Sequence, residues 1–123
     1  MMFDSTMFIN GLLVVAILWF VYKQLVPVKG VKDITTSELK TQLNQKDKQF
    51  IDVRTPNEYK RNHLKEFKNI PLYELKQRAN ELSKDQEVVL ICQSGMRSRK
   101  ASQSLKKLGF THITNVKGGM SAW

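Results

Sequence analysis

The feature that most restricts what this chain can become is an apolar, β-branched run, Val88-Val89-Leu90-Ile91, which ends on the single cysteine, Cys92. A strand without polar alternation is buried on both faces, as in the middle of a parallel sheet covered by helices. After a short Gly- and Ser-containing turn, residues 98–108 carry a helical pattern with Ala101, Leu105 and Leu108 on one face and basic residues on the other. Gly109 follows, suited to the left-handed residue that ends a helix. The cysteine therefore sits where a buried strand hands over to a helix.

The flanking sequence repeats the alternation of strand and helix, which predicts an α/β domain with a mainly parallel sheet. Residues 31–34 are the first expected strand. Thr35 and Glu38 have the spacing of a capping box, with Leu39 and Leu43 turned inward behind them. Residues 50–53 form a second strand, and Pro56 suits the first turn of a short helix through Tyr59. Residues 69–70 are a strand stub, 73–82 a helix presenting Leu75, Ala79 and Leu82, and 113–116 the last strand.

A turn between a strand end and a helix start collects unpaired N–H groups, and with the positive end of the helix dipole it cradles negative charge. Cys92 is thus expected as a reactive thiolate with its negative form favoured by those groups. Gly95 suits close backbone approach or positive φ, Ser98 a helix N-cap, and Arg97 supplies a permanently charged fork for an anionic substrate or persulfide. The competing role for Cys92 is that of a small buried hydrophobe. Its place at the head of a strand–turn–helix unit argues for the reactive role.

Here the chain resembles the rhodanese family of sulfurtransferases, whose active-site cysteine at a strand end carries a sulfane sulfur as a persulfide. Ile51-Asp52-Val53-Arg54-Thr55-Pro56-Asn57-Glu58-Tyr59 is similar to the family's "DVR-x-x-x-E-[FY]" signature, and the stretch from Asn62-His63-Leu64 to Asn69-Ile70-Pro71 to its "GHI…NIP" segment. Gly118-Gly119-Met120-Ser121-Ala122-Trp123 matches its "GG-x-x-x-W" ending. The resemblance runs from about residue 31 to 123. Gln93 stands where many active members have a basic residue, and Asn62 where Gly usually precedes the His.

The resemblance implies an open, mainly parallel rhodanese-like sheet flanked by helices, with Cys92 as catalytic nucleophile. Gln93, Ser94, Gly95, Met96, Arg97 and Ser98 would bind the transferred sulfur. It further implies thiosulfate:cyanide sulfurtransferase activity, no cofactor, a small anionic sulfur donor such as thiosulfate or a persulfide, and a thiol or protein acceptor. Asp52, Arg54 and Glu58 read as an ion-pair lattice supporting the site, with Asp52 or Arg54 reaching the cysteine loop. The family places a His such as His63 in a structural turn, and chemistry on a pre-formed thiolate needs no general base. His112 reads as a surface residue and Trp123 as terminal packing.

Two rivals use the same parts. Related phosphatases hold phosphate in a Cys-x5-Arg loop, whereas here Cys92 plus six is Ser98 and the arginine lies at plus five. The shorter loop suits one terminal sulfur better than a tetrahedral oxyanion. The other rival is a non-catalytic module that senses oxidants or carries sulfur at a membrane. The five Met residues form no ligand-like cluster, so no metal site is expected.

Residues 7–22 contain no charge, and the apolar character resumes after Lys23-Gln24. Residues 7–26 are thus long enough for one transmembrane helix, with Lys23 reaching the interface and Trp19 and Tyr22 in an aromatic belt. A cleaved signal peptide is disfavoured by the lack of a positive leading region and of a small-x-small site. The expected organisation is an anchor and flank over 1–28 and a rhodanese-like domain over 29–123, with a short linker over 27–30 at their junction.

The formal net charge of +9 lies in the second part, since before residue 28 only Asp4 and Lys23 are charged and they cancel. Lys23 at the far end of the span, and Lys29 and Lys32 after it, predict a single-pass membrane protein with its C-terminal domain in the cytoplasm, its basic residues near anionic lipid. The unpaired thiol fits that reducing compartment, and one cysteine excludes an internal disulfide. Scattered lysines without an aromatic platform argue against a nucleic-acid partner.

Overall fold

Val88, Val89, Leu90 and Ile91 are all fully buried in a computed structural model of the chain, which describes residues 4–26 and 28–123. They belong to strand β4 (Glu87–Ile91), the middle of a five-stranded, all-parallel sheet. The sheet order is β1 (Lys32–Ile34), β5 (Ile113–Val116), β4, β2 (Lys48–Asp52), β3 (Lys68–Asn69). Alternation along β4 divides the core between the two faces of the sheet. Val88, Leu90 and Cys92 pack with Ala101, Leu105, Leu75 and Phe110, while Val89 and Ile91 pack with Leu39, Phe50 and Phe67.

The helices are α1 (Ser5–Leu25), α2 (Thr36–Lys40), α3 (Pro56–Arg61), α4 (Leu75–Arg78) and α5 (Met96–Lys107). Both expected N-terminal signals are formed. Thr35 and Glu38 make a reciprocal capping box on α2, and Pro56 lies in the first turn of α3, itself boxed by Thr55 and Glu58. At the far end of α5, Gly109 has φ +96°, and Phe110 N–H bonds to Leu105 O while Gly109 N–H bonds to Lys106 O. This paired closure ends the helix and turns Phe110 back onto Leu105 in the core.

Two expectations need correction. The helix read over 73–82 is broken into a 3₁₀ turn (Leu72–Glu74), the single turn α4 and a second 3₁₀ turn (Ala79–Glu81). Its inward residues explain this. Leu72 to Leu75 and Ala79 to Leu82 are three apart, Leu75 to Ala79 four apart, and the chain tightens to three residues per turn where the spacing is three. Second, Ser98 is not the N-cap of α5. Gly95, at φ +99°, takes that position, so the helix begins at Met96 and the Ser98 side chain faces inward from the first turn.

Helix α1 is long and apolar enough to cross a membrane. The stretch Ser5–Lys23 has a mean hydropathy of 1.9, and none of it is buried against the rest of the chain. Its 21 residues rise about 31 Å, close to the thickness of a bilayer core. Asp4 caps its first turn through Met7 N–H, and the rings of Trp19 and Tyr22 stack at the other end with the Lys23 ammonium 5.4 Å above Trp19. Of the expected linker over 27–30, Pro27 lies outside the described residues, as do residues 1–3 of the anchor flank. The rest closes on itself through Val31 N–H to Val28 O.

Candidate active site

The sheet order places the site. From β2 the chain leaves toward β3 on one side, and from β4 toward β5 on the other, so a crevice opens between the C-terminal ends of β2 and β4. Arg54 leaves β2 and Cys92 leaves β4 at this point, joined by a bond from Val53 N–H to Ile91 O.

Cys92 is fully buried, its side chain turned to the α5 side of the sheet by the alternation of β4. Gly95 N–H donates to Sγ at 3.0 Å. The thiol lies 3.4 Å from Ser98 Oγ, and that hydroxyl donates to Gly95 O at 3.2 Å. Because Gly95 adopts a left-handed conformation, the turn coils around the sulfur instead of running past it. The N–H groups of Ser94, Met96, Arg97 and Ser98 make no hydrogen bond among the described residues, as expected for the first turn of a helix. Thus the turn offers donors to a negatively charged atom placed on Sγ.

The C-terminal segment holds the turn from the other side. Met120 N–H donates to Cys92 O at 2.8 Å and Ser121 N–H to Gln93 O at 2.9 Å. Gly119, at φ +56°, passes so close that a Cβ there would lie 2.2 Å from Cys92 O. Gln93 is pinned twice, its amide nitrogen donating to Ser121 Oγ and its oxygen accepting from Arg54 Nη1 at 3.4 Å. Ser121 is a positioning residue that sequence reasoning passed over. Its signal was its place within the Gly118–Trp123 ending.

The expected lattice of Asp52, Arg54 and Glu58 resolves into two units. Asp52 and Arg54 are a buried pair, with Arg54 Nη2 2.8 Å from Asp52 Oδ2 and 2.6 Å from Asn62 O. Of the two, Arg54 reaches the cysteine loop, through Gln93. Glu58 belongs elsewhere: it closes the box on Thr55 and grips Arg97 from both sides, at 2.6 Å to Nη1 and 2.9 Å to Nη2. That two-pronged hydrogen bond from Arg97 holds the Glu58 carboxyl down to about 2, and Glu58 in turn raises Arg97 further.

Arg97 is therefore held by Glu58 and does not bond Sγ. Met96, the exposed first residue of α5, lines a surface hollow with Arg97 and Lys100. His63 is structural as expected: its ring stacks on Tyr59 at 3.8 Å and Nδ1 meets Tyr59 O. His112 is exposed, and Trp123 packs under the Lys40 ammonium, 4.9 Å from its ring.

Comparison with known proteins agrees with this arrangement. Residues 35–123 match the model of the rhodanese-like domain. The chain belongs to the rhodanese-like domain family. It is 42% identical over 104 residues to protein YqhL of Bacillus subtilis (strain 168), covering 85% of this chain and 78% of that protein. A sulfurtransferase of Allochromatium vinosum is 32% identical, with 76% of this chain and 88% of that one matched. Among solved structures, a rhodanese-like domain protein from Staphylococcus aureus superposes with a TM-score of 0.70 at 36% identity, covering 75% of this chain and 90% of that one. Membership of this family, with named sulfurtransferases among its relatives, supports sulfur transfer of the rhodanese type.

Proposed function

We propose that this rhodanese-like protein passes a sulfane sulfur from thiosulfate or a persulfide, through a persulfide on Cys92, to a thiophilic acceptor. One observation carries this reading: the turn 92–98 sets Gly95 N–H 3.0 Å from the buried Sγ and leaves the N–H groups of Ser94, Met96, Arg97 and Ser98 unpaired among the described residues. In the first half-reaction the Cys92 thiolate attacks the outer sulfur of thiosulfate. An S–S bond forms to Cys92, the donor's own S–S bond breaks, and sulfite leaves with the electron pair. In the second, cyanide in vitro or a cellular thiol takes the terminal sulfur and the thiolate is restored. Such covalent catalysis predicts ping-pong kinetics.

Gly95 N–H stabilises the charge on sulfur, the Ser98 hydroxyl turns from Gly95 O to donate to the sulfur once the thiol proton has left, and the remaining N–H groups of the turn receive the added atom. Ser94, Met96 and Arg97 shape the mouth through which the donor enters. Gln93, Arg54 and Asp52 hold the near wall.

The chain is read as an anchor over 1–28 and a catalytic domain over 29–123. Helix α1 spans the bilayer, and Lys23, Lys29 and Lys32 on the C-terminal side favour the cytoplasm for the domain. Anionic lipid then attracts the basic surface.

Intact mass of the full chain in detergent, before and after thiosulfate, tests the chemistry. A gain of one sulfur, about 32 Da, on the native chain and none on Cys92→Ser is the expected result. Sulfur transfer retained by Cys92→Ser would overturn the assignment. A second reading, a sulfur-carrying or oxidant-sensing module without turnover, is favoured by Glu58's hold on Arg97 and by Gln93 in place of a cation. It predicts a mass gain from a persulfide donor with no steady-state turnover of thiosulfate.

A further inference from the structure

We propose that the chain has a second binding site, separate from the Cys92 sulfur, for a small zwitterion of amino-acid size. It lies between the β1–β5 edge of the sheet and the first turns of α5, in a cavity of about 200 Å³. Asp33 on β1 and Asn115 on β5 are direct partners across the sheet. Their neighbours in sequence, Ile34 and Val116, enter the core on the opposite face, so Asp33 and Asn115 occupy positions under α5 that a packed sheet would fill with apolar side chains.

The polar atoms there are left unmatched. Asn115 is only 7% exposed, and its amide nitrogen donates to Asp33 Oδ1 at 3.2 Å. That bond fixes which way the amide faces, since the oxygen cannot sit against a carboxylate. Asn115 Oδ1 then has no hydrogen-bond partner, and neither does the buried Nε of Arg99, another residue of the cavity lining. Interiors rarely leave such groups unpaired, because each lost partner destabilises the fold. Asp33, Arg99 and Lys117 all line the cavity, and none has an ion-pair partner among the described residues.

An orphaned acceptor whose own amide bonds a carboxylate, and an orphaned guanidinium donor in the same lining, are the complement of an ammonium and a carboxylate in one small molecule. The ammonium would donate to Asn115 Oδ1 and to Asp33, and the carboxylate would accept from Arg99 Nε and Lys117. A simple anion leaves Asn115 Oδ1 unmet, and a simple cation leaves Arg99 Nε unmet. The space exceeds the share of a single water, about 30 Å³. Val28 and Val31 give the cavity an apolar side, and Ser94 and Gly95 form its other wall. An occupant thus touches the back of the cysteine turn, while Cys92 itself does not line the cavity.

This site does not depend on sulfur transfer, and its test leaves Cys92 untouched. Full-length protein in detergent, labelled with ¹⁵N, is titrated with L-serine, glycolate and ethanolamine. L-serine is expected to shift the Asn115 side-chain amide and the backbone amides of residues 94–96 saturably, with glycolate and ethanolamine each at least tenfold weaker. Asn115→Leu, which removes the orphaned acceptor without a charge change, should abolish the L-serine response. Should that variant fail to fold, Arg99→Gln provides the same readout, with L-serine weakened to the level of ethanolamine. No saturable shift with L-serine at millimolar concentration overturns the site, and glycolate binding as tightly as L-serine overturns its zwitterion character.

Discussion

The contact between Arg97 and Glu58 changes what each residue does. Arg97 read in isolation is a cation at the mouth of a thiolate site. With its fork engaged by a carboxylate 39 positions earlier, it presents a much weaker field to an entering anion and instead locks α5 to α3. The Glu58 carboxyl, held down to about 2 from 4.5, stabilises the fold above about pH 4.5, and this contribution is lost as pH falls toward 2. Replacing Glu58→Gln is expected to lower stability at pH 7 by about 1–2 kcal/mol, and urea midpoints should show the gap to the native chain closing as the pH drops from 4.5 to 2. A gap that stays constant across that range would mean the carboxylate charge is not what holds Arg97. Ser98→Ala tests the turn itself. Loss of one buried hydroxyl beside the sulfur should slow sulfur loading by roughly tenfold to a hundredfold, read by quenched mass spectrometry, and lower stability by about 1 kcal/mol, too little to account for the slower loading. The place of Cys92 between a buried strand and a helix was legible from the β-branched run before it. Its direct partners were less so: Ser98 had the composition of a cap and serves as a neighbour of the sulfur.

Among the elements, the C-terminal 3₁₀ turn (Gly119–Ala122) acts as a clamp on the turn that follows β4. It hangs on two backbone bonds to Cys92 and Gln93, and on the close passage of Gly119 over Cys92 O. A Gly119→Ala change meets both a left-handed φ of +56° and a Cβ 2.2 Å from that oxygen, so the clamp must move. The expected outcome is a loss of about 1–3 kcal/mol in stability, with sulfur loading impaired beyond what the remaining folded fraction explains. Normal loading by a fully folded Gly119→Ala protein would show that the clamp is dispensable. Strand and helix order were readable from period alone, and 113–116 as a strand was met residue for residue. The broken helix after Pro71 was not, because apolar residues three and four apart fit both an α-helix and a 3₁₀ turn until the packing against α5 selects between them.

For the whole molecule, the division is between an apolar helix with no buried surface and a domain that carries the net positive charge. If α1 spans the bilayer, the chain will stay with membranes through high salt and alkaline carbonate and leave only with detergent. Release by salt alone would reduce α1 to a surface contact held by basic residues, whose attraction is screened. The class of fold, the strand-end place of Cys92 and a helix of spanning length were legible before any contact was known, because each is a local matter of period, composition and turn chemistry over a few consecutive residues. Tertiary structure alone decided which residues face one another. It took Glu58 from Asp52 to Arg97, brought Ser121 to Gln93, and set Asp33 beside Asn115 across 82 positions of chain. Those pairings depend on strand order and register, in which residues remote along the chain come to lie a few ångströms apart, and no local pattern encodes such distances.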